Sequence, residues 1–215
     1  MLVKICGISD AAGLHAAAQA GADMVGLVFF PPSPRAVTPA QAAAVSAAVP
    51  AAGLGGPQRV GLFVDASDEL IAAVLEAVPL DVLQLHGDEP PERCAEVRQK
   101  FGRPVMKALG IASAADFSAI DLYAPAVDHF LLDAKAPPGA PLPGGNAAPF
   151  DWALTAGRAI PRPWLLAGGL TPGNVAQAIA ASGAPGVDVS SGVEVSRGVK
   201  DASRIAAFVA AAKPA

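Results

Sequence analysis

Short apolar runs alternate with longer helical stretches along the whole chain. Eight runs rich in Val, Ile, Leu and Phe have the length of buried strands, and Ala-, Leu- and Glu-rich stretches of helical length lie between them. The predicted strands are Leu2–Cys6, Met24–Phe29, Arg59–Val64, Val82–Leu85, Val105–Ala108, His129–Asp133, Trp164–Ala167 and Gly186–Val189. This alternation predicts an α/β protein that is built from eight βα units.

Local signals mark where several helices begin. Thr38, Pro39 and Gln41 combine an N-cap, a first-turn proline and a capping-box glutamine. Thr171 and Pro172 repeat the cap and the proline, so a helix is expected to start there as well. Further predicted N-caps, all of them small polar residues that precede a helical stretch, are Ser67, Ser113 and Asp201.

The spacing of the predicted strands favours a closed barrel. Most strands start about 23 residues after the preceding one, which leaves room for one strand, one turn and one short helix. An open doubly wound sheet is the alternative, but it usually has fewer strands and often carries a GxGxxG turn after the first one. Here that turn is Cys6–Ser9, which lacks the fingerprint. We therefore expect a (β/α)8 TIM barrel that forms a single domain over residues 1–215.

Composition and charge exclude several classes of protein. The chain is 53% hydrophobic and 16% charged, which is untypical of a disordered protein. A net charge of −4 offers no basic surface, so we expect no nucleic-acid partner. Neither an uninterrupted apolar run of about 20 residues nor a signal peptide is recognisable, which predicts no membrane association. Two cysteines give no disulfide framework, as is typical of a cytoplasmic protein.

Polar residues concentrate where the predicted strands end. In a TIM barrel, the active site is built at the carboxyl ends of the strands, so these residues are the first candidates for chemistry. For Asp65 a role as the start of a loop is favoured, because it lies two residues before the predicted N-cap Ser67. The candidate positions are Cys6, Arg35, Asp65, His86, Asp133, Gly168, Gly169 and Asp188 through Ser191.

Two of these residues have side chains that can exchange protons. Alternation along the first strand puts Cys6 on the same face as Lys4, so its thiol would meet a substrate at the barrel entrance. Asp133 ends an apolar strand, where it would act as a general acid or form a salt bridge with a nearby cation. Cys94 lies inside a predicted helix and is interpreted as an inert buried residue.

The last two βα junctions indicate a phosphate site. Glycines in the seventh loop allow close approach of the backbone, and the eighth loop supplies amides, hydroxyls and another glycine. The alternative is that these glycines only permit tight turns. The residues are Gly168, Gly169, Ser190, Ser191 and Gly192. No metal site is predicted, because the three histidines lack a convincing ligand spacing.

The chain resembles the phosphoribosylanthranilate isomerase family in motifs that run through nearly all of it. The resemblance implies a (β/α)8 barrel and an Amadori rearrangement in tryptophan biosynthesis, with a phosphosugar substrate and without a cofactor. A monomer or a homodimer is expected. The motifs are Lys4–Ile8, Ser33–Arg35, Val60–Asp65, Gln84–Glu89, Leu131–Asp133, Gly144–Gly145, Phe150–Trp152, Ala167–Leu170 and Gly186–Glu194.

The resemblance also implies a role for individual residues. Cys6 would be the general base and Asp133 the general acid, while Arg35 would bind the anthranilate carboxylate. His86 and Asp188 would contact the ribose and the aromatic ring. The chain departs from the usual family pattern at Ser9, at Asn146-Ala147 and at Ser196-Arg197, none of which is required by this chemistry.

Other phosphate-binding barrels are the rival interpretations. Indole-glycerol-phosphate synthase would favour a lysine on the first strand, which Lys4 partly mimics, together with a catalytic glutamate. A pentose-phosphate epimerase would need paired histidines and aspartates for its metal. A non-catalytic phosphosugar-binding barrel would keep the Ser190–Gly192 loop but would not need both Cys6 and Asp133. The Pro- and Gly-rich segment Ala134–Pro149 is predicted to be a mobile lid over the site, and the alternative is a mobile insertion with no role.

Overall fold

The computed structural model describes residues 1–135 and 151–213, and these form a closed barrel of eight parallel strands. Each strand pairs with the next along the chain, and the eighth closes the barrel against the first. The eight strands are β1 (Leu2–Cys6), β2 (Met24–Val28), β3 (Gln58–Phe63), β4 (Val82–Leu85), β5 (Val105–Ile111), β6 (His129–Ala134), β7 (Trp164–Leu166) and β8 (Gly186–Val189).

Helices surround the barrel on its outside. In the part of the chain that the structure describes, four short 3-10 turns supplement them: Ala52–Leu54, Ala114–Phe117, Trp152–Thr155 and Ser191–Val193. A small antiparallel hairpin follows β8 and consists of β9 (Glu194–Ser196) and β10 (Val199–Lys200). The α-helices are α1 (Ala11–Gln19), α2 (Pro39–Ser46), α3 (Asp68–Ala77), α4 (Pro91–Phe101), α5 (Ser118–Tyr123), α6 (Val175–Ser182) and α7 (Ala202–Ala212).

The TIM barrel and all eight strands predicted from the sequence are confirmed, with ends that move by a few residues. Three predicted N-caps are also confirmed, because each side chain accepts a backbone N–H from the first turn of its helix. Thr38 accepts from Gln41, Ser67 from Leu70 and Asp201 from Arg204. The predicted helix start at Thr171 is wrong, because α6 begins after Asn174. The Asn174 side chain instead accepts the N–H of Thr171 at 2.7 Å and closes a turn before the helix.

Strand residues alternate between two buried layers, as expected for parallel strands that are covered on both faces. Outward-facing residues pack under the helices in the larger core, which includes Val3, Ile5 and Leu83. The barrel interior is filled by a separate apolar cluster of Met24, Val60, Val82, Met106, Ala108, Leu131, Leu165 and Ala167. Polar inward-facing side chains, including Lys4, Gln84, Asp133 and Asp188, are buried in the interior as well.

Within the described ranges no helix is long and apolar enough to cross a membrane.

Candidate active site

Cys6 ends β1 with its side chain buried among interior residues at the carboxyl-terminal end of the barrel, which we call the mouth. Its parallel partner on β2 is Gly26, and a Cβ at that position would lie 2.8 Å from the Cys6 sulfur. Gly26 therefore makes room for the thiol. The predicted placement of Lys4 on the same face is also found, since Lys4 is fully buried in the interior.

Charged groups surround the thiol. Lys4 donates from Nζ to Oδ1 of Asp188 at 2.7 Å, and both residues occupy the same register level of β1 and β8. Burial raises the pKa of the Cys6 thiol, and the positive charges of Lys4 and Lys200 offset only part of that rise. Burial alone would lower the pKa of Lys4, but Asp188 and Cys6 outweigh it and raise that pKa. The thiolate of Cys6 thus depends on neighbouring cations.

Asp133 lies at the end of β6 and faces His86. Its Oδ1 accepts the backbone N–H of Ala134 at 2.8 Å, while Oδ2 lies 3.6 Å from Nε2 of His86. The other ring nitrogen of His86, Nδ1, lies 2.9 Å from the amide nitrogen of the fully buried Gln84. Among the described residues, no lysine or arginine forms an ion pair with Asp133.

Arg35 is held in the loop after β2 by a buried carboxylate. Its Nε and Nη2 donate to Oε1 and Oε2 of Glu194 at 2.7 and 3.0 Å, which is a bidentate ion pair. The Arg35 side chain also packs on Gly7, where a Cβ would lie 2.5 Å from Cδ of the arginine. Glu194 occupies one edge of the guanidinium, and Nη1 donates to no residue in the described parts of the chain.

Glu194 also binds a second cation. Nζ of Lys200 donates to Oε1 of Glu194 at 2.7 Å and to the carbonyl of Ser190 at 3.0 Å. Burial opposes ionisation of Glu194, yet Arg35 and Lys200 outweigh it and lower the pKa of this carboxyl to about 2. Glu194 is therefore a carboxylate throughout the physiological pH range.

The loops after β7 and β8 lie in contact. A Cβ at Gly192 would overlap the carbonyl oxygen of Leu170, so only glycine allows the two loops to approach this closely. Gly168 and Gly169 both have positive φ, at 86° and 64°, a conformation that glycine adopts without strain. The backbone N–H groups of Gly168, Gly169 and Ser190 donate to no acceptor within residues 1–135 and 151–213. These amides are available to an anion.

Comparison with known proteins gives one consistent answer. The family profile described as "PRAI: N-(5'phosphoribosyl)anthranilate (PRA) isomerase" matches residues 3–211. The chain belongs to this isomerase family. N-(5'-phosphoribosyl)anthranilate isomerases from Rhodospirillum rubrum and Paracoccus denitrificans are both 58% identical to it, over 99% and 98% of this chain and 97% and 96% of their own lengths.

Solved structures of isomerases agree with the sequence comparison. The Thermotoga maritima enzyme matches with a TM-score of 0.85 and 37% identity, over 99% of this chain and 98% of the other. A phosphoribosyl anthranilate isomerase in complex with reduced 1-(o-carboxyphenylamino)-1-deoxyribulose 5-phosphate matches with a TM-score of 0.83 and 36% identity, over the same shares. The resemblance noted in the motifs is thereby confirmed, and this isomerase is set apart from the rival phosphate-binding barrels.

The structure brings the predicted site residues of the isomerase together in three groups. Cys6 lies with Lys4 and Asp188, Asp133 lies with His86, and the loops that contain Gly168, Gly169, Ser190, Ser191 and Gly192 touch each other. Asp65 is a loop residue, as favoured, because its carboxylate accepts the backbone N–H of Asp88 at 2.8 Å.

Sequence reasoning missed Glu194, Lys200 and Gln84. Glu194 and Gln84 lie within the quoted motifs, but nothing in their local sequence indicates what their side chains contact. Glu194 binds an arginine that lies 159 positions earlier in the chain, so only the closed barrel reveals the pair. The predicted lid falls almost entirely on residues 136–149, which lie outside the described residues. No group of three or more potential metal ligands occurs in the described ranges.

Proposed function

We propose that this isomerase catalyses its Amadori rearrangement with Cys6 as the general base and Asp133 as the general acid. It converts N-(5'-phosphoribosyl)anthranilate into 1-(2-carboxyphenylamino)-1-deoxyribulose 5-phosphate, a reaction that moves a proton from C2 to C1 of the sugar. The observation that carries the proposal is the placement of one thiol and one carboxyl. Each is buried at the carboxyl end of its strand, at the same mouth of the barrel as the loops after β7 and β8.

Ring opening is the first step. The carboxyl of Asp133 gives its proton to the furanose ring oxygen, and the lone pair of the anilino nitrogen forms the C1 iminium as the C1–O bond breaks. Oδ1 of Asp133 is engaged by the Ala134 amide, which leaves Oδ2 to carry the proton next to His86. The product of this step is an open-chain cation and an Asp133 carboxylate.

Proton removal at C2 is the second step. The iminium acidifies the C2–H bond, and the Cys6 thiolate removes this proton to give an enolamine. The Cys6 thiol then returns a proton to C1, and the C2 hydroxyl gives its proton to the Asp133 carboxylate, which produces the ketone and restores both groups to their starting states. The positive charges of Lys4 and Lys200 favour the thiolate against the effect of burial, and the iminium adds a third cation while it exists.

Binding groups at both ends of the substrate would hold it for these steps. The free edge of the Arg35 guanidinium would donate to the anthranilate carboxylate, because Glu194 binds only Nε and Nη2. The amides of Gly168, Gly169 and Ser190, with Ser191 and Gly192 in the same loop, would bind the phosphate. His86 and Asp188 would contact the ribose and the aromatic ring, which lie between these two ends. Anchors at two ends orient the reacting carbons and contribute to catalysis without touching them.

Complementation tests the function in a cell. We expect the wild-type gene to restore growth without tryptophan to a bacterial strain that lacks only this isomerase. The Cys94→Ala variant is the matched control, because Cys94 is a second buried free cysteine but belongs to α4. It should complement, whereas Cys6→Ala should not. Failure of the soluble wild-type protein to restore growth would overturn the proposal.

Oligomeric state and cell compartment are further expectations. A Thermotoga maritima relative is described as a dimeric enzyme, so a homodimer and a monomer both remain candidates for this chain. Light scattering of the purified protein separates them by mass. We place the protein in the cytoplasm, because a catalytic thiol such as Cys6 must stay reduced. Cell fractionation with an antibody tests that placement.

A further inference from the structure

Glu194 lies between the two predicted ends of the substrate site. It begins β9, directly after the 3-10 turn Ser191–Val193 of the eighth loop, and it is 6% exposed. All of its acceptor positions are used: Oε1 binds Nε of Arg35 and Nζ of Lys200, each at 2.7 Å, and Oε2 binds Nη2 of Arg35 at 3.0 Å and the N–H of Gly198 at 3.1 Å. One carboxylate thus binds both of these buried cations.

Each cation leads to a different end of the site. Lys200 donates to the Ser190 carbonyl at 3.0 Å and to its hydroxyl at 3.3 Å, and Ser190 starts the loop whose amides are proposed to bind the phosphate. Arg35 is the residue proposed above to bind the anthranilate carboxylate. The turn between β9 and β10 packs against the loop that contains Arg35, because a Cβ at Gly198 would lie 2.7 Å from the carbonyl oxygen of Pro34. A continuous chain of contacts therefore runs from Ser190 through Lys200 and Glu194 to Arg35.

We propose that Glu194 is a positioning residue that couples phosphate binding to anthranilate binding. This inference rests on the proposed function for the two ends of the site. A phosphate on the eighth loop orders Ser190, and Lys200 transmits that order to Glu194, which fixes the rotamer of Arg35. The carboxylate of the anthranilate then binds to an arginine that has already lost its freedom, so the two ends bind with positive coupling.

The coupling is measurable with two separate probes. Binding of anthranilate is titrated to the purified full chain with and without saturating inorganic phosphate. We expect phosphate to tighten anthranilate binding about fivefold or more in the wild type, the lower end of typical coupling between sites. Glu194→Gln keeps the size of the side chain but removes its charge, so the ion pairs that transmit the coupling are lost. In this variant, anthranilate should bind about equally well with and without phosphate.

A second buried carboxylate serves as the matched control. Glu89 forms an ion pair with Lys107 at 2.7 Å, and both side chains are 3% exposed. Glu89 contacts neither Arg35 nor the eighth loop within the described residues, so Glu89→Gln should lose stability but keep the coupling. A merely structural role for Glu194 predicts the same behaviour for both variants. Phosphate enhancement that survives in Glu194→Gln would overturn the proposal, as would its absence in the wild type.

A double-mutant cycle decides the matter if Glu194→Gln does not fold. Arg35→Ala, Lys200→Met and the double variant are compared for affinity to a ligand that contains both anthranilate and phosphate. Coupling predicts that the losses of affinity are not additive, because the first substitution already breaks the chain of contacts. Additive losses would overturn the proposal. If the wild type turns over substrate but shows no coupling, this inference alone fails; if it has no isomerase activity, the proposed function fails too.

Discussion

At the scale of single residues, two opposing effects determine the pKa of the Cys6 thiol. Burial in the barrel disfavours the charged form of Cys6, while the ammonium groups of Lys4 and Lys200 favour it. Burial wins in the free protein, so the pKa lies above its ordinary value. We expect this general base to gain thiolate character when ring opening places the positively charged iminium beside it.

Titration of the thiol tests this balance. In a Cys94→Ala background, the ultraviolet absorbance of the thiolate should appear at higher pH in the folded protein than in the urea-unfolded chain. Replacing Lys4 by Met removes a cation that favours the thiolate and should move the folded titration to still higher pH. A folded Cys6 that titrates at or below the pH of the unfolded chain would contradict the account.

The role of Arg35 is tested by its removal. Loss of a hydrogen bond between charged groups costs about 1.5–3 kcal/mol, so Arg35→Ala should weaken anthranilate-containing ligands by about 10- to 100-fold. Affinity for ribose 5-phosphate, which has no carboxylate, should change much less. Calorimetric titration of both ligands measures the difference, and equal losses for the two would remove Arg35 from carboxylate binding.

At the scale of elements, the contact between the loops after β7 and β8 depends on one missing side chain. A methyl group at Gly192 would overlap the carbonyl oxygen of Leu170, so Gly192→Ala must push the loops apart. We expect unfolding free energy to fall by about 1–3 kcal/mol and phosphate affinity to fall with it. Gly53→Ala is the control, because a Cβ there has no neighbour within 4 Å. Chemical denaturation and phosphate titration report both effects, and equal behaviour of the two variants would refute the explanation.

Elements with a local cause could be predicted from the sequence. The strands follow from short apolar runs, and the start of α2 follows from Thr38 and Gln41, which satisfy each other's backbone groups. The start of α6 could not be read from Thr171, because Asn174 three residues later forms the competing hydrogen bond. Strand ends indicated the positions of Cys6 and Asp133. The partnership of Arg35 with Glu194 depends on closure of the barrel, which no local pattern encodes.

At the scale of the whole molecule, buried ion pairs link stability to pH. The pKa of Glu194 is lowered to about 2 in the folded protein, from its ordinary value of 4.5. Its stabilising effect is therefore complete above about pH 5 and is lost as the pH falls from there toward 2, where the unfolded chain takes up the proton first. Urea denaturation at pH 6 and pH 3 should show a smaller acid-induced loss for Glu194→Gln than for the wild type. The same loss in both would contradict the assigned role of this carboxylate.

The most direct test of the central claim separates rate from affinity for Cys6 and Asp133. Steady-state and single-turnover kinetics are compared for wild type, Cys6→Ala, Asp133→Asn and the control Cys94→Ala, with folding checked by circular dichroism. General acid or base catalysis contributes about 10²- to 10⁴-fold, so each of the first two variants should lose that much in turnover. Binding of a product analogue should stay close to that of the wild type, and Cys94→Ala should turn over normally. Near-wild-type turnover in a folded Cys6→Ala or Asp133→Asn variant would contradict the mechanism.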